Sequence, residues 1–441
     1  MIQNIKQKLK KNKFLFWVLV FSCTGLLAVS TTAALFSFLS PSPEPAAPVV
    51  VPVATPRPVP TPAPTPEPTP DPMLGMVHSP LTGLPIPEES APLRPVAVVI
   101  NNHTRALPQS GISQAEIIYE VLAEGNITRL VAIFHQLESE RIGPVRSTRE
   151  YFADFAIAYD AVFAHHGGSP AGYARLRNLG MDFLDGMALE STTFWRDPER
   201  RRIPALIEHS SFTGATILNE AMERRNIRRE LYEDSSIGFE FNLEEIPFQT
   251  LARATGGTFR PCLELIVPFS DAYTRRFVFH PETSKFAVYN RNGPHIDENI
   301  KLENDNDEEE QENDNDNGND NDEDAEENDA PVDAQVRVKN VLVQHVRMRT
   351  IPGDAEGRRE VHTVGSGSGY LATMGGIIPV LWERDSVDTP TRWYFMSGNP
   401  LQLTPGNTWI NVLQDTVAIE IVTSLDLPEE EGDEEEENDN E

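Results

Sequence analysis

Short apolar runs separated by turn-forming residues recur along the chain from residue 95 onward. The run 95–100 is continuously apolar and rich in β-branched residues, and it ends in Asn101-Asn102. This pattern is typical of a buried strand that enters a loop. Residues 117–122 and 128–134 flank a Glu-Gly-Asn turn and predict a β-hairpin, although Ser113 to Glu116 also fits a capping box that would start a helix.

Helical periodicity alternates with these strands in the first half of the chain. Ser147 and Glu150 have capping-box spacing, which predicts that a helix begins there and runs through 151–159. Residues 161–164 predict another buried strand, and helices are expected through Tyr173 and Leu176 and from about 213 to 225. Strands that alternate with helices indicate an α/β domain, which we place at 76–250.

After residue 261 the pattern changes to short β-rich pieces separated by Gly, Asn, Asp or Pro. We expect strands at 263–268, 276–280, 285–290, 336–346, 358–364, 370–373, 377–383 and 409–412. This half is predicted to be a mostly β (α+β) domain at 258–425. Gly365 to Gly369 has the glycine content of a phosphate-binding loop, but between strands it is expected to be a turn.

The N-terminal region has the pattern of a membrane anchor. Five lysines in residues 1–13 precede the uncharged segment 14–39, whose 26 residues at about 1.5 Å each exceed a hydrocarbon core of about 30 Å. We therefore predict a cytoplasmic stub at 1–13, a single transmembrane anchor at 14–39 and an extracytoplasmic body. Residues 40–75 are predicted to form a proline-rich stalk. A cleaved signal peptide, or lipidation of Cys23 after a lipobox-like Val-Phe-Ser-Cys, are alternatives that also place the body outside.

The acidity of the chain is concentrated in two runs. The formal net charge is −31, yet 27 acidic residues lie in 303–329 and 426–441, and without them the charge is −4. We expect a disordered insertion at 303–330 and a disordered tail at 426–441, both capable of weak divalent-cation binding. The absence of a basic stripe argues against nucleic acid as a partner. No cofactor or metal is expected.

The body resembles a known family over nearly its whole length. The motifs are Pro-Leu-Thr-Gly-Leu-Pro at 80–85, Ile-Gly-Pro-Val-Arg-Ser at 142–147, His-His-Gly-Gly at 165–168, Gly-Pro-His-Ile-Asp at 293–297 and Pro-Gly-Asn-Thr-Trp-Ile at 405–410. These resemble the YerB family of bacterial lipoproteins. The resemblance implies a two-part extracytoplasmic domain of unknown function and supplies no established catalytic residue. This chain departs from the family in its long anchor, its weak lipobox, and its acidic insertion and tail.

The strongest local chemical signal is basic. Arg141, Arg146 and Arg149 surround the predicted helix start, where free backbone N–H groups favour an anion. Arginine forks and imidazole donors near strand ends suit a phosphate or carboxylate. The candidate anion site consists of Asn101, Asn102, Glu120, Arg129, Arg146, Ser147, Arg149, His165 and His166. The structural alternative is that the arginines pair internally with Glu120, Glu124 and Asp185.

Two other groups of side chains are weaker candidates for a functional site. His165 and His166 with Asp185, Asp197 and His209 make a metal set without the usual ligand spacing. Trp382, Trp393, Tyr394 and Trp409 would form either an aromatic platform or a β-domain core.

We predict a membrane-anchored binding or scaffolding protein of the cell envelope, with a wall polymer or an envelope protein as partner. The alternative is an enzyme that acts on an anionic envelope substrate through His165 or His166 and the arginines.

Overall fold

The computed structural model describes residues 73–232, 235–300 and 334–423, all within one compact unit. The predicted stub, anchor, acidic insertion and acidic tail, and most of the stalk, lie outside these residues. Within the described part, none of the helices has both the length and the apolar character needed to cross a membrane. The architecture is mostly sheet with few helices.

The strands and helices follow each other in this order. The strands are β1 (Met76–His78), β2 (Pro85–Pro87), β3 (Val96–Asn101), β4 (Ile117–Leu122), β5 (Thr128–Phe134), β6 (Val162–His165), β7 (Phe183–Asp185), β8 (Trp195–Arg196), β9 (Ser211–Phe212), β10 (Glu240–Phe241), β11 (Arg260–Pro261), β12 (Glu264–Ser270), β13 (Tyr273–His280), β14 (Lys285–Asn290), β15 (Gly293–Pro294), β16 (Arg337–Val338), β17 (Asn340–Val346), β18 (Met348–Thr350), β19 (Arg359–Val361), β20 (Gly365–Thr373), β21 (Gly376–Arg384), β22 (Arg392–Phe395), β23 (Gln402–Leu403), β24 (Thr408–Gln414) and β25 (Glu420–Val422). The helices are α1 (Glu150–Ile157), α2 (Pro170–Asn178), α3 (Gly186–Leu189), α4 (Pro198–Arg202), α5 (Ala215–Arg224) and α6 (Phe248–Ala254).

An 11-stranded mixed sheet organises the fold. Its order is β11-β21-β20-β17-β24-β4-β5-β3-β6-β7, with β22 paired to β21. All six side chains of β3 and of β4 are buried. Strands with such continuous burial are covered on both faces, which explains why their sequences do not alternate apolar with polar positions.

The large sheet contains strands from both halves of the chain. Strand β24 lies between β17 and β4 and runs parallel to both. A second sheet, of order β15-β14-β13-β12-β25 with β16 on β14, contacts the first where β12 meets β24 and β14 meets β17. The two predicted domains therefore share backbone hydrogen bonds and a core. Their exact limits stay a prediction.

The predicted hairpin is present, with β4 and β5 antiparallel across Glu124–Asn126. Residues 113–116 do not begin an α-helix, because Glu116 instead accepts hydrogen bonds from the backbone N–H groups of His135 (3.0 Å) and Gln136 (2.8 Å). Helix α2 is capped by Ser169, whose hydroxyl accepts from Gly172 N at 2.9 Å.

Two local predictions were wrong. Helix α1 begins at Glu150 with Arg149 at the N-cap and no side-chain cap, while the Ser147 hydroxyl donates to the carbonyl of His166 at 3.0 Å. Gly365–Gly369 is not a turn but the first half of β20, paired residue by residue with β21. Glycines fit there because a Cβ at Gly367 would lie 2.7 Å from the Trp382 ring.

Candidate functional site

A small cavity of about 130 Å³ opens where β3 ends and the β4–β5 turn passes it. Three of the nine predicted site residues line it: Asn101, Arg129 and Arg146. The remaining lining residues are His103, Arg105, Ala123, Glu124, Ile127, Thr128, Glu208 and His209. We call this the donor cavity, because most of its polar side chains can donate hydrogen bonds.

Strand register brings the predicted residues together. Asn101 and Arg129 are direct partners across the antiparallel pair β3–β5. The segment that carries Arg146 runs beside β3, since Asn101 N donates to Pro144 O and Arg146 N donates to Val99 O, each at 2.8 Å. Residues distant in sequence therefore meet at one strand end.

Two arginines share one carboxylate at the inner end of the cavity. Arg129 Nη2 lies 3.2 Å from Glu124 Oε2, and Arg149 Nε donates to Glu124 Oε1. Burial lowers the pKa of Arg129 to about 10, so this guanidinium stays charged at neutral pH. Burial opposes ionisation of Glu124, but the hydrogen bond from Arg149 and the charge of Arg129 outweigh it and lower its pKa. The cluster keeps one positive charge in excess.

A second ion pair lies at the mouth of the cavity. Arg146 Nη2 contacts Glu208 Oε2, and Arg146 Nη1 donates to the Glu208 carbonyl at 3.1 Å. The Glu208 side chain is 64% exposed. Exposed pairs of this kind contribute about 0–1 kcal/mol. This ion pair is therefore only a weak restraint on the Arg146 guanidinium.

Two stacked histidines complete the lining, with ring centroids 5.0 Å apart. Asn101 Oδ1 accepts from His103 N at 3.1 Å, so Asn101 Nδ2 donates to His209 Nδ1 at 2.8 Å. His103 Nδ1 accepts from Arg105 N at 3.0 Å. Both neutral rings therefore carry their proton on Nε2 and are donors there. Burial, followed by the neighbouring cations, lowers both pKa values, that of His209 to about 4.

Asn102 and Glu120 were predicted to be site residues but lie behind the cavity. Glu120 is fully buried and accepts from Arg275 through both carboxylate oxygens, at 2.8 and 3.0 Å. Trp409 Nε1 donates to Glu120 Oε2 at 3.1 Å, and Thr128 Oγ1 and Asn102 Nδ2 donate to Oε1 at 2.7 and 3.1 Å. We call these residues the Glu120 network. Its cation comes from the C-terminal half of the chain.

The network continues to a histidine and a glutamine. Arg275 Nη1 donates to His295 Nδ1 at 2.8 Å, which leaves the His295 proton on Nε2 to donate to Gln109 Oε1. Burial and the charge of Arg275 lower the pKa of His295 well below its usual value. Gln109 Nε2 donates in turn to Asn102 Oδ1 at 3.1 Å. Every side chain in this chain of hydrogen bonds is satisfied internally.

His165 and His166 do not line the donor cavity. His165 is buried, with Nδ1 2.8 Å from Gly167 O and 3.7 Å from Asp185 Oδ1. His166 Nδ1 lies 2.8 Å from Ser211 Oγ, a spacing that suggests a nucleophile and base. However, Arg196 Nη2 donates to His166 Nε2 at 3.0 Å, so the neutral ring carries its proton on Nδ1 and donates to Ser211. A base that activates this serine would need the opposite arrangement.

The prediction that free backbone N–H groups at a helix start near Ser147 would bind an anion was wrong. Arg146 N and Thr148 N donate to backbone carbonyls, and Ser147 Oγ is also engaged. Arg149 and Arg129 pair with Glu124, as the structural alternative proposed, whereas Arg141 pairs with Asp197 at 2.8 Å. The basic site therefore forms around a strand end and not at a helix terminus.

The remaining candidates have structural roles. Trp382, Trp393 and Trp409 are core residues with at most 5% exposure and Tyr394 is half-buried, so the four residues do not form an exposed aromatic platform. Among the described residues, no group of three or more His, Cys, Asp or Glu side chains could hold a metal ion. Cys262 is buried, and burial raises the pKa of its thiol to about 12. Cys23 lies outside the described residues.

Sequence reasoning missed His103, Arg105, Thr128 and Glu208 in the cavity. His103 and Arg105 directly follow the predicted loop at Asn101-Asn102, so an available signal was the polar run that extends that strand end. Glu208 and His209 reach the site from a 3₁₀ helix, Pro204–His209, about a hundred residues later. No local sequence pattern indicates that Glu208 and His209 lie beside the end of β3.

Comparisons with known proteins agree with this architecture. Residues 81–228 match the family described as "Protein of unknown function (DUF3048) N-terminal domain", and residues 265–410 match the corresponding C-terminal domain. The chain is 30% identical over 347 residues to a Bacillus subtilis (strain 168) protein named "Putative lipoprotein YerB", covering 78% of this chain and 88% of that protein. The crystal structure of YerB from Bacillus subtilis superposes with a TM-score of 0.60 at 26% identity, over 79% of this chain and all of that one. The chain belongs to the YerB family, whose two domains carry no assigned function.

Proposed function

We propose that the protein is a membrane-anchored, extracytoplasmic binding protein of the bacterial envelope that holds a small anionic group in the donor cavity. One observation carries the proposal. The cavity presents guanidinium and imidazole N–H groups, while its two carboxylates are already engaged by arginines. A phosphate or carboxylate would complete these donors with charge-assisted hydrogen bonds.

The proposed location rests on the sequence and on a relative. Residues 14–39 are uncharged and follow five lysines, which favours an anchor with the N-terminus in the cytoplasm. The Bacillus subtilis relative is named as a lipoprotein. Lipidation of Cys23 would tether the same body to the same face of a membrane. Anionic groups of a wall polymer or of an envelope protein are the partners within reach of such a body.

Binding is favoured over catalysis by the hydrogen bonds of the histidines. His166 donates to Ser211 and accepts from Arg196. His209 and His103 have their Nδ1 atoms occupied by donors and offer only N–H groups in the neutral state. Donors without a free base hold an anion but do not remove a proton from a substrate.

Isothermal titration of the full-length protein in detergent with inorganic phosphate and with acetate tests the proposal. We expect saturable binding of one of them by the unaltered protein and loss of most of that affinity in Arg146→Ala. Arg349→Ala is the matched control, because Arg349 also forms an exposed pair with a glutamate, Glu360, outside the cavity. Equal affinity in all three proteins, or no binding of either anion, would contradict the proposal.

A further inference from the structure

A groove of about 1190 Å³ lies apart from the donor cavity and shares none of its lining residues. One wall is formed by the residues after α1, the loop before β7, and described residues of the segments 228–232 and 235–240. The opposite wall is formed by the β21–β22 turn and by β22. The groove therefore runs between the two family segments of the chain. Pockets for small ligands usually measure about 300–1,000 Å³, so this groove has room for a larger occupant.

The floor of the groove is apolar. It includes Ile157, Leu179, Met181, Ile237, Phe239 and Leu401. These six side chains offer no hydrogen-bond partners to a hydroxylated ligand, and burying hydroxyl groups against them would cost free energy. Apolar side chains of an occupant would instead gain from contact with it.

The rim of the groove is lined by charged side chains with a net negative charge. Arg94, Arg228 and Arg392 line it together with five acidic residues, which gives a formal charge of −2. Each arginine is already paired: Arg94 with Asp160 and Asp182, Arg228 with Asp160, and Arg392 with Asp385. The acidic residues that remain are Glu240 and Asp388. Both are exposed and neither takes part in an ion pair within the described part of the chain, although Asp388 accepts a hydrogen bond from the Ser386 hydroxyl.

A fixed aromatic ring stands at the edge of the groove. Tyr232 is 61% exposed, and the Arg228 guanidinium lies 3.7 Å from the centre of its ring. This cation–π contact restrains the ring although most of its surface faces solvent. A restrained, exposed aromatic side chain is typical of a contact residue.

We propose that this groove binds an extended peptide segment with alternating apolar and basic side chains. In an extended chain successive side chains point to opposite sides, so one set meets the apolar floor and the other meets Glu240 and Asp388. Charge complementarity favours lysine and arginine over acidic side chains. A glycan has no apolar side chains for the floor and, if neutral, brings no positive charge to balance Glu240 and Asp388.

Fluorescence anisotropy with the full-length protein in detergent tests this proposal. The probes are labelled peptides of about ten residues, one alternating lysine with valine and one alternating glutamate with valine, and a labelled hexamer of N-acetylglucosamine. Empty micelles give the background for each probe. We expect the basic peptide alone to bind above background.

Two variants locate the binding. Glu240→Lys combined with Asp388→Lys is expected to weaken binding of the basic peptide by about tenfold or more. Glu356→Lys makes the same kind of charge reversal at an exposed glutamate outside the groove and is expected to change the affinity by less than about twofold. Circular dichroism melting curves verify that all three proteins are folded.

Three patterns of binding would overturn the proposal. They are equal affinity for the basic and acidic peptides, no loss in the double variant relative to Glu356→Lys, and binding of the sugar hexamer in place of the basic peptide. Absence of binding by every probe up to about 1 mM also rejects it. Since phosphate binding is measured separately, failure here leaves the donor cavity unaffected.

Discussion

The donor cavity and the Glu120 network meet at Thr128, yet their charged side chains differ in burial and in pairing. Glu120 and Arg275 are at most 1% exposed and bond each other through two contacts, with further donors filling the carboxylate. In the cavity, Arg146 and Glu208 are 27% and 64% exposed, and Arg129 and Arg149 share one carboxylate. Removing one partner of a buried, fully satisfied pair leaves an uncompensated charge, whereas a partly exposed cluster with an excess of positive charge is a candidate ligand site.

The largest effect is expected from Arg275→Met. This change leaves the buried carboxylate of Glu120 without its cation, which should lower the free energy of unfolding by about 3–5 kcal/mol. Guanidinium denaturation of the full-length protein measures it. Arg276→Met is the control, since the neighbouring Arg276 pairs with Glu264 and its side chain is 44% exposed; that change should cost under about 1 kcal/mol. Equal losses would show that burial does not distinguish the pairs.

Thr128→Val tests the border between the two regions. The Thr128 hydroxyl accepts from Asn102 and donates to Glu120, both at 2.7 Å. Valine has nearly the same shape and removes both hydrogen bonds, so we expect a loss of about 1–3 kcal/mol in the free energy of unfolding. Phosphate affinity should change less than in Arg146→Ala. Unchanged stability would mean that the hydroxyl contributes little to the network.

Arg146→Ala is expected to separate stability from binding. Its pair with Glu208 is partly exposed, so the free energy of unfolding should fall by less than about 1 kcal/mol. Phosphate affinity should fall about tenfold, equivalent to about 1.4 kcal/mol. Denaturation and titration of the same preparation measure the two quantities. A large loss in the free energy of unfolding with unchanged phosphate affinity would mean that Arg146 stabilises the fold and does not bind the anion.

The smallest expected change in affinity concerns pH and His209. The unfolded histidine has an ordinary pKa near 6.5, whereas the folded pKa is about 4 because of burial, His103, Arg146 and Arg105, opposed by Glu208. As pH falls below 6.5 the unfolded chain therefore binds the proton first, and folding stability decreases until pH reaches about 4.

A bound anion beside His209 would raise the folded pKa and so strengthen binding over that range. Sulfate is a suitable probe because its charge is constant there. We expect the affinity of the protein for sulfate, measured by titration, to rise about two- to fivefold between pH 6.5 and pH 5. His209→Gln should remove most of this dependence. A flat profile in the unaltered protein would contradict a role for His209 in binding.

The comparison also explains which predictions succeeded. The strands 96–101, 117–122 and 128–134 are almost entirely buried, and the apolar runs within them indicated them directly. Arg129 was proposed for the site from its place at the entry of a strand, and Arg146 from the predicted helix start; both line the donor cavity. Glu120 was also proposed, but its partner Arg275 lies 155 positions later and the two side chains are buried together.

The sequence by itself determined the anchor-like and acidic segments as predictions, the family, and most strands and helices, because these depend on local composition, spacing and periodicity. Only the tertiary structure decided that the C-terminal strand β24 lies between β17 and β4, and that His103 and His209 stack in the cavity in place of His165 and His166. Ion pairing and tautomers were decided there as well. They depend on which charges and donors the fold brings within about 3 Å of each other, and hydrogen bonds at that distance carry no period along the chain.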